Sequence, residues 1–179
     1  MKLDANYAHI LLPNVPKMIS EGVHLLGIHE KVGLGSNPLI MNMADALGVR
    51  DIYLDDDTAW CGLAHGYIIV RSGKFLPLKD WDILRALKYR QFGRHVDTPM
   101  FGDTLVFQRP EGGHVGLYVG EDSTHFHVMG GNQSNSYSIT KIARTRLVEA
   151  RRPIYVQEPD SVRPIPIGDT NTLVTHNEK

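Results

Sequence analysis

The sequence has very little cysteine and no excess of charge of either sign. Its single cysteine, Cys61, excludes an intramolecular disulfide and a zinc site built from several cysteines. The chain carries 19 basic and 20 acidic residues, so its formal net charge is −1. This balance argues against a protein that binds nucleic acid mainly by neutralising phosphates. No apolar run approaches the ~20 residues that cross a bilayer, so no integral membrane segment is predicted.

The length of 179 residues fits one globular domain followed by a tail. We expect the domain to cover residues 1–155. Residues 156–179 contain several prolines and end in polar residues, which predicts a poorly ordered tail. Residues 1–6 do not show a basic region followed by an apolar one, so no signal peptide is visible.

Hydrophobic periodicity changes halfway along the chain. In the first half, apolar residues at helical spacing predict helices over residues 17–26, 38–47, 58–70 and 80–89. In the second half, short runs rich in β-branched and aromatic residues predict strands over 104–108, 114–119, 124–129, 136–142 and 147–154. Short turns separate these strands, which is typical of an antiparallel meander. Helices followed by strands indicate an α+β fold.

The predicted third helix contains the cysteine in its first turn. Asp57 or Thr58 is the predicted N-cap, and Cys61 follows it. Unpaired backbone N–H groups and the positive end of the helix dipole favour a thiolate there. The same N–H groups can stabilise the oxyanion of a tetrahedral intermediate. Cys61 is therefore a candidate nucleophile.

A nucleophilic cysteine needs a base and a group that orients the base. His114 begins a predicted strand directly after two glycines, and Asn132 follows the next strand after Gly130 and Gly131. A hairpin between these strands would bring Asn132 near His114. This order is that of a papain-like triad, in which a cysteine at a helix start is followed by a histidine at a strand start and then by an amide.

Each of these three residues also has an ordinary structural explanation. A single cysteine is often a small buried apolar residue, and a histidine at a strand end is often a core or surface residue. An asparagine beside glycines is a common turn residue. Spacing alone therefore supplies a hypothesis about catalysis.

Several sequence blocks, taken in order, resemble a phage and bacterial family within the CHAP/NlpC-like superfamily of cysteine peptidases and amidases. The blocks are DTAWC at 57–61, FGDTLVF at 101–107, GHVGLYVG at 113–120 and VMGGNQS at 128–134. LGIHE at 26–30 and GSNP at 35–38 match the N-terminal part of the family. The resemblance covers roughly residues 18–142.

The resemblance implies a papain-like fold, with N-terminal helices packed on an antiparallel β-meander. It implies a peptidoglycan hydrolase that cleaves an amide bond of the wall peptide, without a cofactor. Carried over by position, Cys61 is the nucleophile, His114 the base and Asn132 the residue that orients His114. Many CHAP members have Glu two positions before this Asn, where this chain has Gly130. Four further residues are expected to contribute to the oxyanion site or the surrounding pocket: Asp57, Thr58, Trp60 and Gln133.

Three alternatives remain open at the sequence level. NlpC-like members often use a second histidine as the third catalytic residue, and His127 is the nearest candidate. His125 and His127 alternate along one strand, so together with His114 they suggest a zinc-dependent amidase or peptidase. A non-catalytic wall-binding or virion structural module is a further possibility.

The resemblance also suggests where the protein acts. Peptidoglycan is the expected partner, nucleic acid is not, and the protein is expected to be a monomer. Without a visible signal peptide, we expect synthesis in the host cytoplasm and action at the cell wall or periplasm. A holin-dependent endolysin, a virion-borne lysin and a secreted effector are all compatible with this route.

Overall fold

The computed structural model describes residues 3–168 and 172–175, and its centre is a six-stranded sheet. The strands are β1 Arg94–His95, β2 Thr104–Arg109, β3 Gly112–Glu121, β4 His125–Gly130, β5 Ser138–Ala143 and β6 Leu147–Arg152. Their order across the sheet is β1-β6-β2-β3-β4-β5, and all neighbouring strands are antiparallel. The predicted α+β class is confirmed.

The sheet is a meander only in part. Strands β2 to β5 follow one another as predicted, because short turns join them. Strand β6 instead returns to the outer side of β2, where Thr104 pairs with Arg151. The two-residue strand β1 adds to the far edge of β6 and was not predicted. Arg152 on β6 donates two hydrogen bonds to the buried carboxylate of Asp103, which ties β6 to the start of β2.

Three α-helices precede the sheet along the chain: α1 Lys17–Val23, α2 Pro38–Ala46 and α3 Cys61–Arg71. The side chain of Asn37 caps α2 by accepting a hydrogen bond from the backbone N–H of Leu39 at 2.9 Å. Asparagine is favoured at the N-cap of a helix, and proline at its first position. The 3₁₀ helices are Ala5–Leu11, Asp80–Asp82, Ala86–Gln91 and Arg144–Arg146.

Two helix predictions need correction. Helix α3 begins at Cys61 and Trp60 is its N-cap, so neither Asp57 nor Thr58 caps it. Both the backbone N–H and the hydroxyl of Thr58 donate to the Asp55 carboxylate, which holds this segment in a turn. Residues 80–89 contain two 3₁₀ segments in place of one α-helix. Asp80, where the first of these segments begins, has a φ of +49°, which lies outside the range of a right-handed α-helix.

The N-terminal helices pack against the sheet through small residues. A Cβ atom added at Gly22 of α1 would lie 2.6 Å from Met129 Cε and 3.3 Å from Leu117 Cδ1. Leu117 and Met129 pair across β3 and β4, and both are fully buried. Helix α1 can therefore approach the middle of the sheet closely. None of the helices within residues 3–168 and 172–175 has both the length and the apolar character needed to cross a bilayer.

The described part of the C-terminal segment packs on the sheet. The backbone N–H of Ile167 donates to the Glu121 carbonyl at 2.8 Å, and that of Thr175 donates to the Lys141 carbonyl at 3.0 Å. The side chain of Ile167 is buried. Within the predicted tail, Ile165 and Ile167 thus have backbone hydrogen bonds to Glu121 of β3, and Leu173 and Thr175 to Lys141 of β5. Residues 169–171 and 176–179 of the predicted tail lie outside the described residues, as do residues 1 and 2.

Candidate functional site

The single cysteine lies at the start of a helix and on the wall of a cleft. Cys61 is the first residue of α3 and lines a cleft of about 400 Å³. The cleft is also lined by residues 84–88 and by the β2–β3 hairpin at Arg109, Gly112 and Gly113. Among the described residues, no side chain caps α3 at its N-terminus. The first-turn N–H groups and the helix dipole therefore act on the sulfur and on the cleft beside it.

His114 follows the glycines of this hairpin and is completely buried. Its Nε2 lies 3.1 Å from Oε1 of Gln133, which is also completely buried. His114 pairs with Phe107 across the β2–β3 hairpin, and the two rings are 6.5 Å apart. The ring of His114 is thus held between a phenyl ring and an amide.

The hydrogen bonds of Gln133 determine which nitrogen of His114 carries a proton. The Gln133 amide nitrogen donates to the carbonyl of Val128 at 3.2 Å and to that of Ser138 at 2.7 Å. With both amide hydrogens used, Oε1 must face His114 as an acceptor. In the neutral ring, Nε2 is then the donor and Nδ1 carries the lone pair. Nδ1 is therefore the basic nitrogen of His114.

Asn132 is close to this pair but makes a different contribution. It is buried, and its Oδ1 has no hydrogen-bond partner among the described residues. Its backbone is left-handed, with a φ of +58°. Among residues 3–168 and 172–175, the hydrogen bond that was expected between Asn132 and His114 is made by Gln133.

The loop that carries Gln133 has an unusual backbone. Ser134 and Asn135 have φ values of +53° and +58°, a conformation that residues other than glycine seldom adopt. The hydroxyl of Ser136 donates to the Gln133 carbonyl at 2.8 Å, and the N–H of Glu30 donates to the Asn135 carbonyl at 2.9 Å. These bonds hold the loop against residues 27–30. Strained backbone held by its surroundings is common at functional sites.

Two glycines lie between this loop and helix α3. A Cβ atom added at Gly130 would lie 3.4 Å from His114 Nε2. One added at Gly131 would lie 2.8 Å from the ring of Trp60 and 3.0 Å from Cβ of Ala64. The segment therefore contacts His114 on one side and the start of α3 on the other. Side chains at positions 130 and 131 would push His114 and the start of α3 apart.

Cys61 and His114 affect the pKa values of two neighbouring buried rings, those of Tyr89 and His65. Burial, followed by the charge of Cys61, raises the pKa of Tyr89 well above its usual value. Burial, followed by the charge of His114, lowers the pKa of His65 to about 3. The rings of His65 and Tyr89 meet edge to face at 5.2 Å. Cys61 and His114 therefore both act on this one buried pair of rings.

The other predicted pocket residues have different surroundings. Asp57 and Thr58 are exposed in the turn before α3, where the Thr58 hydroxyl donates to Asp55. Trp60 is fully buried, and its indole N–H donates to Glu30 at 2.7 Å. The side-chain donors of Thr58 and Trp60 are thus already used within the protein. These two side chains shape the turn before α3.

Asp56 was not singled out in the sequence, yet it is the buried acid of this turn. Its carboxylate accepts from the N–H groups of Lys31 at 2.9 Å and Asn37 at 2.8 Å. It therefore fixes the 31–37 loop against the turn that leads into Cys61. A run of three aspartates gives no indication of which one is buried.

His127 lies far from His114. Strand β4 pairs His127 with Gly120, six residues along β3 from His114, or roughly 20 Å at about 3.3 Å per residue. His127 Nδ1 is 2.7 Å from the Tyr7 hydroxyl, and its Nε2 is 3.3 Å from Asp122. His127 therefore cannot be the third residue of a site at His114.

The three predicted zinc ligands do not converge on one point, because only His125 and His127 lie near the same Asp122 carboxylate. Within the described ranges, no three His, Cys, Asp or Glu side chains are grouped as a metal site would require. His125 Nδ1 contacts the Thr124 hydroxyl at 2.8 Å, and His114 is held by Gln133. The arrangement of these side chains does not support a site formed by His114, His125 and His127.

Three basic residues of the cleft were also missed. Arg85 and Lys88 come from the 3₁₀ region that was predicted as a helix, and Arg109 ends β2. No motif in the sequence marks them, since only the packing of 84–88 beside α3 brings them to the cleft.

Comparison with known proteins provides no assignment for this site. The chain matches neither a protein-family model nor a curated protein.

Proposed function

We propose that this protein is a cysteine amidase or peptidase that hydrolyses an amide bond of the cell-wall peptide. One observation carries the proposal. Cys61 lies at the uncapped start of α3 on a cleft that is also lined by Gly113, the residue before His114, and Gln133 fixes the ring of His114. A nucleophile, a base and an orienting group in this order are the parts that nucleophilic catalysis requires.

A papain-like arrangement is supported by the order and location of these residues. The cysteine begins a helix, the histidine lies near the start of a strand, and an amide follows the next strand. We assign the orienting role to Gln133 in place of Asn132, because Gln133 bonds to His114 Nε2. The resulting tautomer presents Nδ1 as the base, which is the state needed to accept a thiol proton.

In the proposed acylation step, His114 Nδ1 takes the proton of the Cys61 thiol. The sulfur attacks the scissile carbonyl carbon, and the oxygen of the tetrahedral intermediate accepts hydrogen bonds from backbone N–H groups of the first turn of α3. The carbon–nitrogen bond then breaks as His114 returns its proton to the departing amine. The products of this step are the free amine and a thioester at Cys61.

The thioester is hydrolysed in the second half of the reaction. His114 Nδ1 accepts a proton from water while the water oxygen attacks the thioester carbonyl. The carbon–sulfur bond breaks, a carboxylic acid leaves, and the proton on His114 returns to the Cys61 sulfur. Neither step needs a cofactor or a metal ion.

The wall peptide is proposed as substrate because four ordered sequence blocks resemble the CHAP/NlpC-like enzymes. The cleft is compatible with a peptide backbone, since Gly112 and Gly113 contribute no side chains to the part that they line. Synthesis in a host cytoplasm and release through a holin or a virion remain parts of this proposal, as does a monomeric state. No contact described at the site favours the two alternatives, a zinc-dependent enzyme or a non-catalytic wall-binding or virion structural module.

The test is a turbidity assay on bacteria stripped of their outer membrane. Wild type should clear the suspension, and Cys61→Ala should lose nearly all of this activity while keeping the wild-type melting temperature. A catalytic contribution of His114 would appear as a similar loss in His114→Ala. Undiminished lysis by Cys61→Ala would overturn the cysteine mechanism. Loss of wild-type lysis in EDTA with rescue by zinc would favour a metal enzyme.

A further inference from the structure

The cleft beside Cys61 is lined by basic side chains. Arg85, Lys88 and Arg109 all contribute to its wall. Among the described residues that line this cleft, none is acidic. The protein as a whole has a formal net charge of −1, so a local excess of three cations is not a property of the whole surface. Such a cleft attracts negatively charged ligands.

Two of these cations already have an acidic partner. Arg85 lies 3.9 Å and Lys88 3.4 Å from the carboxylate of Asp82. Asp82 lies outside the lining of the cleft, on the preceding 3₁₀ helix. These two side chains are thus held in place, and one negative charge is shared between them.

Arg109 differs from both. Within the described parts of the chain it makes no ion pair, and its Nε is buried without a hydrogen-bond partner. A buried charged donor without an acceptor is unfavourable, so such a group is well suited to receive an acceptor from a ligand. Its planar guanidinium matches the two oxygens of a carboxylate.

The position of Arg109 relative to the catalytic residues is fixed by the hairpin. Arg109 ends β2 and pairs with Gly112, and His114 follows two residues later on β3. Gly113 packs directly against Leu87, since a Cβ atom at Gly113 would lie 2.7 Å from Leu87 Cδ2. Arg109 and Cys61 therefore face the same cleft, with one short hairpin carrying both the cation and the base.

We infer that Arg109 determines specificity by binding a substrate carboxylate next to the scissile amide. This inference rests on the proposed function and narrows its substrate class to peptides with a free carboxylate at that position. Lys88 and Arg85 add to the positive potential of the cleft. A peptide in which the same carboxyl is a carboxamide lacks the charge and is a poorer ligand.

The test measures binding by the full chain carrying Cys61→Ala, which cannot turn over a ligand by the proposed mechanism. The probes are two forms of the tripeptide L-alanyl-γ-D-glutamyl-L-lysine amide, with the glutamate α-carboxyl either free or amidated. They differ by one charge. Isothermal titration calorimetry should show about 10- to 100-fold tighter binding of the free carboxylate, which is typical of a charge-assisted hydrogen bond.

Substitutions then assign the preference to one residue. Adding Arg109→Gln should remove the preference between the two peptides, and Arg109→Lys should retain only part of it. Adding Arg90→Gln is the matched control, because Arg90 is exposed and does not line the cleft. It should leave the preference unchanged. Melting temperatures establish that each variant is folded.

The outcomes separate this inference from the proposed function. Equal affinity for the two peptides, absence of binding of either at millimolar concentration, or a preference that survives Arg109→Gln would overturn the carboxylate site. Hydrolysis of wall peptide by the protein with Cys61 intact tests the proposed function and is measured separately. A carboxylate preference that depends on Arg109, in a protein that cleaves no wall peptide, would support the site and refute only the proposed function.

Discussion

His114 Nε2 lies 3.1 Å from the side-chain oxygen of Gln133, and both residues are completely buried. Both amide hydrogens of Gln133 are directed at backbone carbonyls, so its oxygen is the group that faces the ring. This geometry fixes the tautomer of His114 as well as the orientation of its ring. Gln133 therefore positions the imidazole of His114 in addition to filling space in the core.

Substitution of Gln133 should therefore lower the rate of catalysis. We expect Gln133→Ala to reduce kcat about 10- to 100-fold, because the imidazole loses its fixed orientation and tautomer. KM should change little, since Gln133 does not line the cleft. Rates of muropeptide release from purified cell walls, measured over a range of substrate concentrations, provide both constants.

Asn132→Gly is the matched control for that experiment. Glycine accepts the φ of +58° at this position and removes the amide that was first expected to orient His114. The variant should keep kcat within a few-fold of wild type. A large loss in Asn132→Gly together with a small one in Gln133→Ala would show that the orienting role belongs to Asn132.

Gly131 should be intolerant of even one methyl group. In Gly131→Ala the new Cβ would meet Trp60 at 2.8 Å and Ala64 at 3.0 Å, so the loop and α3 must move apart. We expect a loss of about 1–3 kcal/mol in the free energy of unfolding, together with reduced activity. Urea denaturation measures the stability. Gly168→Ala, which has open space around it, should be close to neutral.

Tyr89 should couple the cleft wall to α3. Its hydroxyl lies 2.7 Å from the Gly62 carbonyl and 3.0 Å from the Ile83 carbonyl. Tyr89→Phe leaves these buried acceptors without the hydroxyl and should cost about 1–2 kcal/mol of stability. Since residues 84–88 form the cleft wall, KM should rise as well. Tyr67→Phe on α3 should change neither quantity, because the Tyr67 hydroxyl makes no hydrogen bond within residues 3–168 and 172–175.

Stability should fall as the pH falls below about 6.5. Burial holds the pKa of His65 in the folded protein at about 3, below its usual value of 6.5. Burial also lowers the pKa of His127. Between pH 6.5 and pH 3, His65 binds a proton in the unfolded chain but stays neutral in the folded one, so acid favours unfolding. The contribution of His65 is fully present above pH 6.5 and is lost progressively toward pH 3.

Urea denaturation at pH 7.5, 6 and 5 provides the measurement. The contribution of His65 alone should lower the free energy of unfolding by roughly 2 kcal/mol between pH 6.5 and pH 5, because one pKa unit corresponds to about 1.4 kcal/mol. The pH dependence should be shallower in His65→Gln. An unchanged pH dependence in that variant would show that His65 does not titrate as its burial requires.

Much of the fold could be predicted because its local signals agree. Each of the strands β2 to β6 was predicted within a few residues, since β-branched runs alternate with glycine-containing turns. The cap of α2 was equally clear from Asn37-Pro38. The 80–89 region was predicted incorrectly because its apolar spacing suits a helix, while the contact of Gly62 with Ile83 and Leu84 depends on tertiary packing.

The candidate site was predictable only in part. Cys61 and His114 have distinctive neighbours in the sequence, a predicted helix start and a pair of glycines. The choice between Asn132 and Gln133 depends on which of the two adjacent side chains points to the interior. Three residues of that loop have positive φ values, so the alternation of side chains along a strand does not predict the answer. The role proposed for Arg109 needed knowledge of its buried and unpaired nitrogen.

The most direct test of the account is the detection of an acyl group on Cys61. A wall-peptide 4-nitrophenyl ester acylates a thiolate quickly, so the thioester should accumulate before water removes it. Acid quenching followed by intact-protein and peptide mass spectrometry should reveal one acyl group per chain, attached to Cys61 and absent from Cys61→Ala. Turnover of the ester with no acyl group on Cys61, or with the group on another residue, would contradict the account.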